Sequence, residues 1–158
     1  MADYKVAVIP GDGVGLEVID EGRKALEDVA DTVGGLSFQF TEFPWGSEYY
    51  RETGNLMPED GIETLKGFDT ILFGAVGDPN IPDHITLHGL LLPMRRSFDQ
   101  GVCIRPAYLY PGVESPLSGK TAGDVDMVIF RENTEGEYCL LYTSDAADEG
   151  LGVDLGGR

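Results

Sequence analysis

Apolar and polar positions follow two periods along this chain. Residues 4–9 (YKVAVI) form a short β-branched run halted by Pro10-Gly11-Asp12-Gly13, which predicts a strand and a tight turn. Over residues 15–30, Val18, Ile19, Ala25, Leu26 and Val29 recur near helical spacing and predict an amphipathic helix. Residues 36–43 alternate as a strand does, and residues 58–66 open with Pro-Glu-Asp and continue through Ile62 and Leu65 as a second helix. Residues 69–76 (DTILFGAV) read as a buried strand ending in glycines, and residues 87–99 as a helix around Leu90, Leu91 and Met94. Further strands are predicted over 102–109 and 126–131 (DMVIFR). Strands alternating with helices predict an α/β fold, a parallel or mixed sheet flanked by helices, with its loops gathered at one rim. Residues 140–158 hold one apolar pair followed by acids and glycines, and are expected to be disordered.

Composition adds a charge pattern to this outline. A chain of 158 residues is the size of one ordinary domain, and its 22 glycines point to many tight turns. The formal charge is −17, a surface that repels phosphate backbones and anionic lipid, so nucleic-acid and membrane binding are excluded as expectations. The acidity is uneven. Residues 1–94 carry 5 basic and 17 acidic side chains, whereas residues 95–131 carry 5 basic and 4 acidic ones. Four of those five cations are Arg95, Arg96, Arg105 and Arg131. The two cysteines, Cys103 and Cys139, have no metal-ligand spacing, the first residues have no basic leader, and no apolar run approaches a membrane span. A cytoplasmic protein is the resulting expectation.

Candidate chemistry sits in four places. Ile9-Pro10-Gly11-Asp12-Gly13-Val14-Gly15 leads a strand into a helix through glycines, a geometry that admits a ligand to the backbone. Its spacing is neither the dinucleotide fingerprint nor a P-loop, and a plain strand-to-helix turn reads equally well. Phe73-Gly74-Ala75-Val76-Gly77-Asp78-Pro79 places glycines at the carboxyl end of a strand, where open α/β sheets bind ligands; a loop needing positive φ is the alternative. Arg131 is expected to leave a buried strand at its carboxyl end, and arginine forks converging with it would suit a small di- or tricarboxylate. Ordinary pairing with surface acids is the competing reading. Tyr138 could donate a proton if it faced the same cleft, and is otherwise a packing residue. Taken by themselves, Cys103, Cys139, His84 and His88 receive no nucleophilic or metal role.

In combination, IPGDGVG at 9–15, FGAVGDP at 73–79, LLLPMRRSFDQGVCIRP at 90–106 and RENTEGEY at 131–138 resemble the β-decarboxylating dehydrogenases of the isocitrate/isopropylmalate dehydrogenase family. The resemblance implies an incomplete isopropylmalate-dehydrogenase-like fold. Residues 1–100 would be the N-terminal portion of its large domain, 101–138 the start of the second domain, and 139–158 a tail outside the family. It further implies NAD and a divalent metal, Mg or Mn, acting on a 2-hydroxy dicarboxylic acid: oxidation at the hydroxyl carbon, loss of carbon dioxide, and protonation of the enolate. Arg95, Arg105 and Arg131 match substrate-carboxylate clamps, Leu91 a substrate contact, and Tyr138 the proton donor. Ala75, Val76, Gly77, Asp78 and His88 match the cofactor side. No metal ligand is expected within this chain, and a full-length relative is expected to be a homodimer.

The same resemblance narrows the substrate. Gly89 and Leu91 stand where the isocitrate branch has a serine and an asparagine, which disfavours isocitrate. Residues 81–89 look most like the tartrate and D-malate branch, with isopropylmalate second because Leu90 and Leu91 could face an apolar substituent. The resemblance ends after Tyr138 or Cys139, short of the family's active-site lysine and metal-binding aspartates. A truncated or chimeric reading frame is therefore expected, inactive and marginally folded in isolation. A non-catalytic anion-binding α/β module and a piece with no ligand site are the readings from other classes.

Overall fold

The β-branched run near the start becomes the middle of a sheet. In a computed structural model, which describes residues 2–133, β1 (Ala2–Gly11) pairs in parallel with β2 (Leu36–Glu42) on one side and β3 (Thr70–Ala75) on the other. A central parallel strand is covered on both faces, so Val6, Ala7, Val8 and Ile9 are all buried rather than every second one. Helix α1 (Val14–Val33) lies along β2 and β3 and contributes Ile19 to a core of Val6 and Val8, flanked by Phe38, Phe40 and Leu72. A second cluster forms where β2 runs out. Phe43 sits 4.6 Å from Trp45 and meets Phe68 edge-on at 5.5 Å.

The chain divides into two compact units, Met1–Met94 and Arg95–Arg158. The first holds the parallel sheet, α1, α2 (Ser47–Thr53), α3 (Gly61–Leu65) and α4 (Asp83–Thr86). From α4 the helical path continues through a π turn (Leu87–Leu91) into α5 (Leu92–Ser97), within which the division between the units falls. In the π turn the Leu92 amide reaches back five residues to the Leu87 carbonyl. Pro93, which has no amide to donate and whose ring crowds the carbonyl four residues earlier, gives this widening a local cause. The described part of the second unit centres on β4 (Val102–Tyr108) and β5 (Asp126–Glu132), a two-stranded antiparallel ribbon.

Several expectations change here. The strands over 102–109 and 126–131 exist but do not extend the parallel sheet: β4 and β5 pair only with each other among the described residues. The apolar run before Arg131 is therefore not buried. Val128, Ile129 and Phe130 are exposed, because no described layer covers either face of the ribbon. The helix expected over 58–66 shortens to Gly61–Leu65, its Pro-Glu-Asp opening forming the preceding turn. The helix expected over 87–99 begins earlier, at Asp83, and stops at Ser97, before Asp99 adopts φ +47°. Helix α2 was not expected at all, since its seven residues carry no apolar repeat. Tyr138, Cys139 and the tail over 139–158 lie outside the described residues.

Candidate functional site

The parallel strands β1 and β3 end side by side, at Gly11 and Ala75, and the loops that follow form the sheet's carboxyl rim. Their glycines serve close backbone packing first. A Cβ on Gly15 would stand 2.1 Å from the Pro10 carbonyl oxygen, and one on Gly74 would stand 2.2 Å from the same atom. Contacts that short are impossible, so these positions accept only glycine and let α1 start directly over β3. Gly13 and Gly77 differ, because a Cβ there would meet nothing within 4 Å. Of the four glycines, Gly77 alone faces open space on the 75–78 turn, where α/β sheets receive ligands.

Two carboxylates organise this rim. Asp12 accepts the Ser47 amide at 2.7 Å, the Ser47 hydroxyl at 2.6 Å and the Gly77 amide at 2.8 Å. Its own amide donates to the Ala75 carbonyl at 2.6 Å. Asp78 accepts the Asn80 amide at 2.8 Å and its side-chain amide at 3.1 Å, and forms an ion pair with Arg51, which also holds Glu48 at 2.8 Å. The Asn80 amide, followed by Arg51, holds the Asp78 carboxyl below the usual carboxylate value. Arg51 is held above its ordinary value, first by Glu48 and then by Asp78. Ala75, Val76, Gly77 and Asp78 are thus brought together in one turn, tied to α2 through Ser47 and Arg51. Sequence reasoning placed Asp12 in the 9–15 turn without giving it a role of its own, and missed Ser47 and Arg51 as rim residues. The available signal was Asp12 itself, an acid set between two turn glycines.

The segment with His88, Gly89, Leu90 and Leu91 forms the π turn. His88 is exposed and Leu91 half-buried. Leu90 is fully buried, so of the two leucines that kept isopropylmalate second only Leu91 is accessible. Gly89 faces Leu56: a Cβ there would come within 2.6 Å of Leu56 Cδ1. A serine at this position has no room unless Leu56 moves.

The arginines divide by element. Arg95 is half-buried on α5 and Arg96 beside it is exposed. In the ribbon register Cys103 faces Arg131 and Arg105 faces Ile129. Arg105 and Arg131 are therefore diagonal neighbours on one face, within reach of one another's long side chains. Between them the Cys103 thiol accepts the Arg105 Nε at 3.4 Å, and Arg131 Nε is buried. The opposite face carries Val102, Ile104, Tyr108, Val128 and Phe130, all exposed. After β5, Asn133 donates its amide to the Gly101 carbonyl at 2.9 Å and its side-chain nitrogen to the Gln100 carbonyl at 3.3 Å, tying the end of the ribbon to its beginning. Among the described residues no three His, Cys, Asp or Glu side chains gather as metal ligands, and no helix is long and apolar enough to cross a membrane.

Comparison with known proteins decides the family. The profile described as isocitrate/isopropylmalate dehydrogenase matches residues 5–154. The chain belongs to the isocitrate/isopropylmalate dehydrogenase family. It is 51% identical over 138 residues to a probable tartrate dehydrogenase/decarboxylase of Agrobacterium vitis, covering 87% of this chain and 38% of that protein. It is 50% identical over 143 residues to the D-malate dehydrogenase [decarboxylating] of Escherichia coli K12, covering 89% and 39%. Among solved structures, a β-decarboxylating dehydrogenase from Thermococcus kodakarensis superposes with TM-score 0.57 at 32% identity, over 84% of this chain and 35% of that one. The isocitrate dehydrogenase of Methylococcus capsulatus, 24% identical with TM-score 0.62, shares the fold. The family is enzymatic, and the chain spans well under half the length of these relatives. The profile runs to residue 154, past the point where the motif resemblance ends.

Proposed function

We propose that this chain carries the amino-terminal part of an NAD-dependent decarboxylating dehydrogenase acting on a 2-hydroxy dicarboxylic acid of the D-malate or tartrate type. The observation that carries this reading is the diagonal placement of Arg105 and Arg131 on one ribbon face. A carboxylate accepts two parallel N–H bonds from a guanidinium fork, and two arginines diagonal on one face suit a substrate that carries two such groups. Arg95 adds a third cation from α5, and Tyr138 is assigned the proton transfer. Leu91 borders the substrate in this reading.

NAD, when bound, accepts the hydride from the substrate's hydroxyl carbon. The 75–78 turn at the end of β3, with open space at Gly77, suits an approach by that cofactor, and exposed His88 borders the same region in the family pattern. No described residue is assigned to Mg or Mn, whose ligands are placed outside this chain, and no step is derived through a metal. Gly89, packed against Leu56, supports the tartrate and D-malate branch over isocitrate, because a serine for an extra carboxylate would first have to displace the Leu56 side chain. Residues 1–100 belong to the large domain and 101–138 to the start of the second in this proposal. A cytoplasmic homodimer is the assembly proposed for a full-length protein. The 158-residue chain, spanning 38% of its relative, is proposed to be inactive by itself.

Calorimetric titration with D-malate tests the reading. Binding at about 1 mM that weakens at least about tenfold in Arg105→Ala or Arg131→Ala supports it, since each lost charge-assisted pair is worth that much. Binding left unchanged by both substitutions would remove the arginine face as the substrate site. Turnover of D-malate by the pure chain would overturn the proposed inactivity.

A further inference from the structure

The turn that follows β3 is held from two sides by groups that no ligand needs to supply. On one side, Asp12 takes the Gly77 amide and both donors of Ser47, so three charge-assisted bonds fill most of its acceptor sites. On the other, Arg51 spans from Glu48 to Asp78, whose second oxygen is occupied by Asn80. Both carboxylates nearest the turn are thereby consumed within the protein. What the turn leaves most open is the backbone at Gly77, beside half-buried Ala75 and Val76.

We propose that Asp12 and Arg51 are positioning residues that hold the 75–78 turn in its ligand-receiving shape, and that Asp78 serves this clamp instead of contacting the cofactor. The inference rests on the reading that the turn meets NAD. Its physical content is pre-organisation. A segment containing Gly74 and Gly77 ranges widely when unrestrained, and ordering it before the ligand arrives removes that cost from binding. Asp12 links the turn to the start of α1 and Arg51 links it to α2, so neither local sequence nor β3 alone sets its path.

The test uses the 158-residue chain with two readouts: amide hydrogen exchange across residues 70–80, and NADH binding followed by quenching of Trp45, the only tryptophan. In Asp12→Asn the side-chain oxygen can still take the Ser47 amide, but its nitrogen opposes the Gly77 amide. Gly77 exchange should accelerate about tenfold or more, and NADH affinity should fall by a similar factor. Ser47→Ala keeps the Asp12–Gly77 bond and should leave Gly77 exchange unchanged. Arg51→Gln should accelerate exchange over 78–80 and weaken NADH, and Arg51→Lys should restore both. Unchanged exchange in Asp12→Asn and Arg51→Gln would overturn the clamp. Accelerated exchange with undiminished NADH affinity would overturn the positioning role while sustaining the cofactor reading. Accelerated exchange in a chain that takes up no NADH would support the clamp and overturn the cofactor reading. If Asp12→Asn fails to fold, the Arg51 pair decides alone.

Discussion

A Cβ on Gly11 would stand 2.0 Å from the carbonyl oxygen of Ala75. Gly11 also holds φ +74°, in the left-handed region. Gly11→Ala is therefore expected to destabilise the first unit by more than about 2 kcal/mol, combining backbone strain with displacement of β3. Gly13→Ala has φ +53° but open space around it, and should cost only about 1 kcal/mol. Urea unfolding followed by Trp45 fluorescence measures both. Equal midpoints would show that β1 and β3 do not meet as closely as described.

Gly89→Ser should force Leu56 from its place, at a cost of about 1–3 kcal/mol. Leu56→Ala alone creates a void, yet in the double variant it makes room for the serine. The two losses should then be less than additive by about 0.5 kcal/mol or more, in a double-mutant cycle read from unfolding midpoints. Strict additivity would mean that Gly89 and Leu56 do not touch.

Asp78 sets an acid limit on the rim. Its folded value lies below the ordinary 3.8, through the Asn80 amide first and Arg51 after it. Its contribution is complete above that ordinary value and is lost as pH falls through the lower folded one. Asp124, held low by the Thr121 amide and hydroxyl, behaves alike in the second unit. Lys24, raised by Glu21, contributes fully below 10.5 and loses its contribution as pH rises through its higher folded value. Asp78→Asn should flatten the acid side of the stability curve below pH 4, measured as unfolding midpoint against pH, and an unchanged slope would argue against a carboxylate stabilised by the Asn80 amide and Arg51.

Ile104 and Phe130 face each other on the ribbon and are 60% and 68% exposed. An apolar patch of this kind drives association. Replacing both with threonine should lower light scattering at high protein concentration while moving stability by no more than about 0.5 kcal/mol per site. A loss of cooperative unfolding instead would show that these side chains are covered in solution.

Much of this architecture was legible in the sequence from residue type and period. The β-branched run over 4–9 became the sheet centre, and the helical spacing over 15–30 became α1, although of its predicted apolar stripe only Ile19 is buried and Val18 and Val29 are exposed. The glycines of the two rim motifs were visible, but their first role was not: Gly15 and Gly74 both approach the Pro10 carbonyl, a meeting of segments some sixty residues apart that leaves no local trace. Helix α2 was illegible, since its placement comes from Ser47 bonding to Asp12, a pairing 35 residues apart with no periodic trace. The ribbon misled in the opposite sense. DMVIFR reads as a buried strand, yet two strands alone cannot enclose their own side chains, and the apolar composition promised a cover that the described residues do not supply.

The position of β1 also governs the timing of synthesis. Val6 pairs with Phe40 and with Thr70, so β1 acquires its second neighbour only after some sixty further residues. At ribosomal speeds of about 5–20 residues per second, that interval lasts roughly 3–13 s. During it the Val6–Ile9 run, buried on both faces once folded, has no completed sheet to enter. Over those seconds a ribosome-associated chaperone would have an apolar segment to shield.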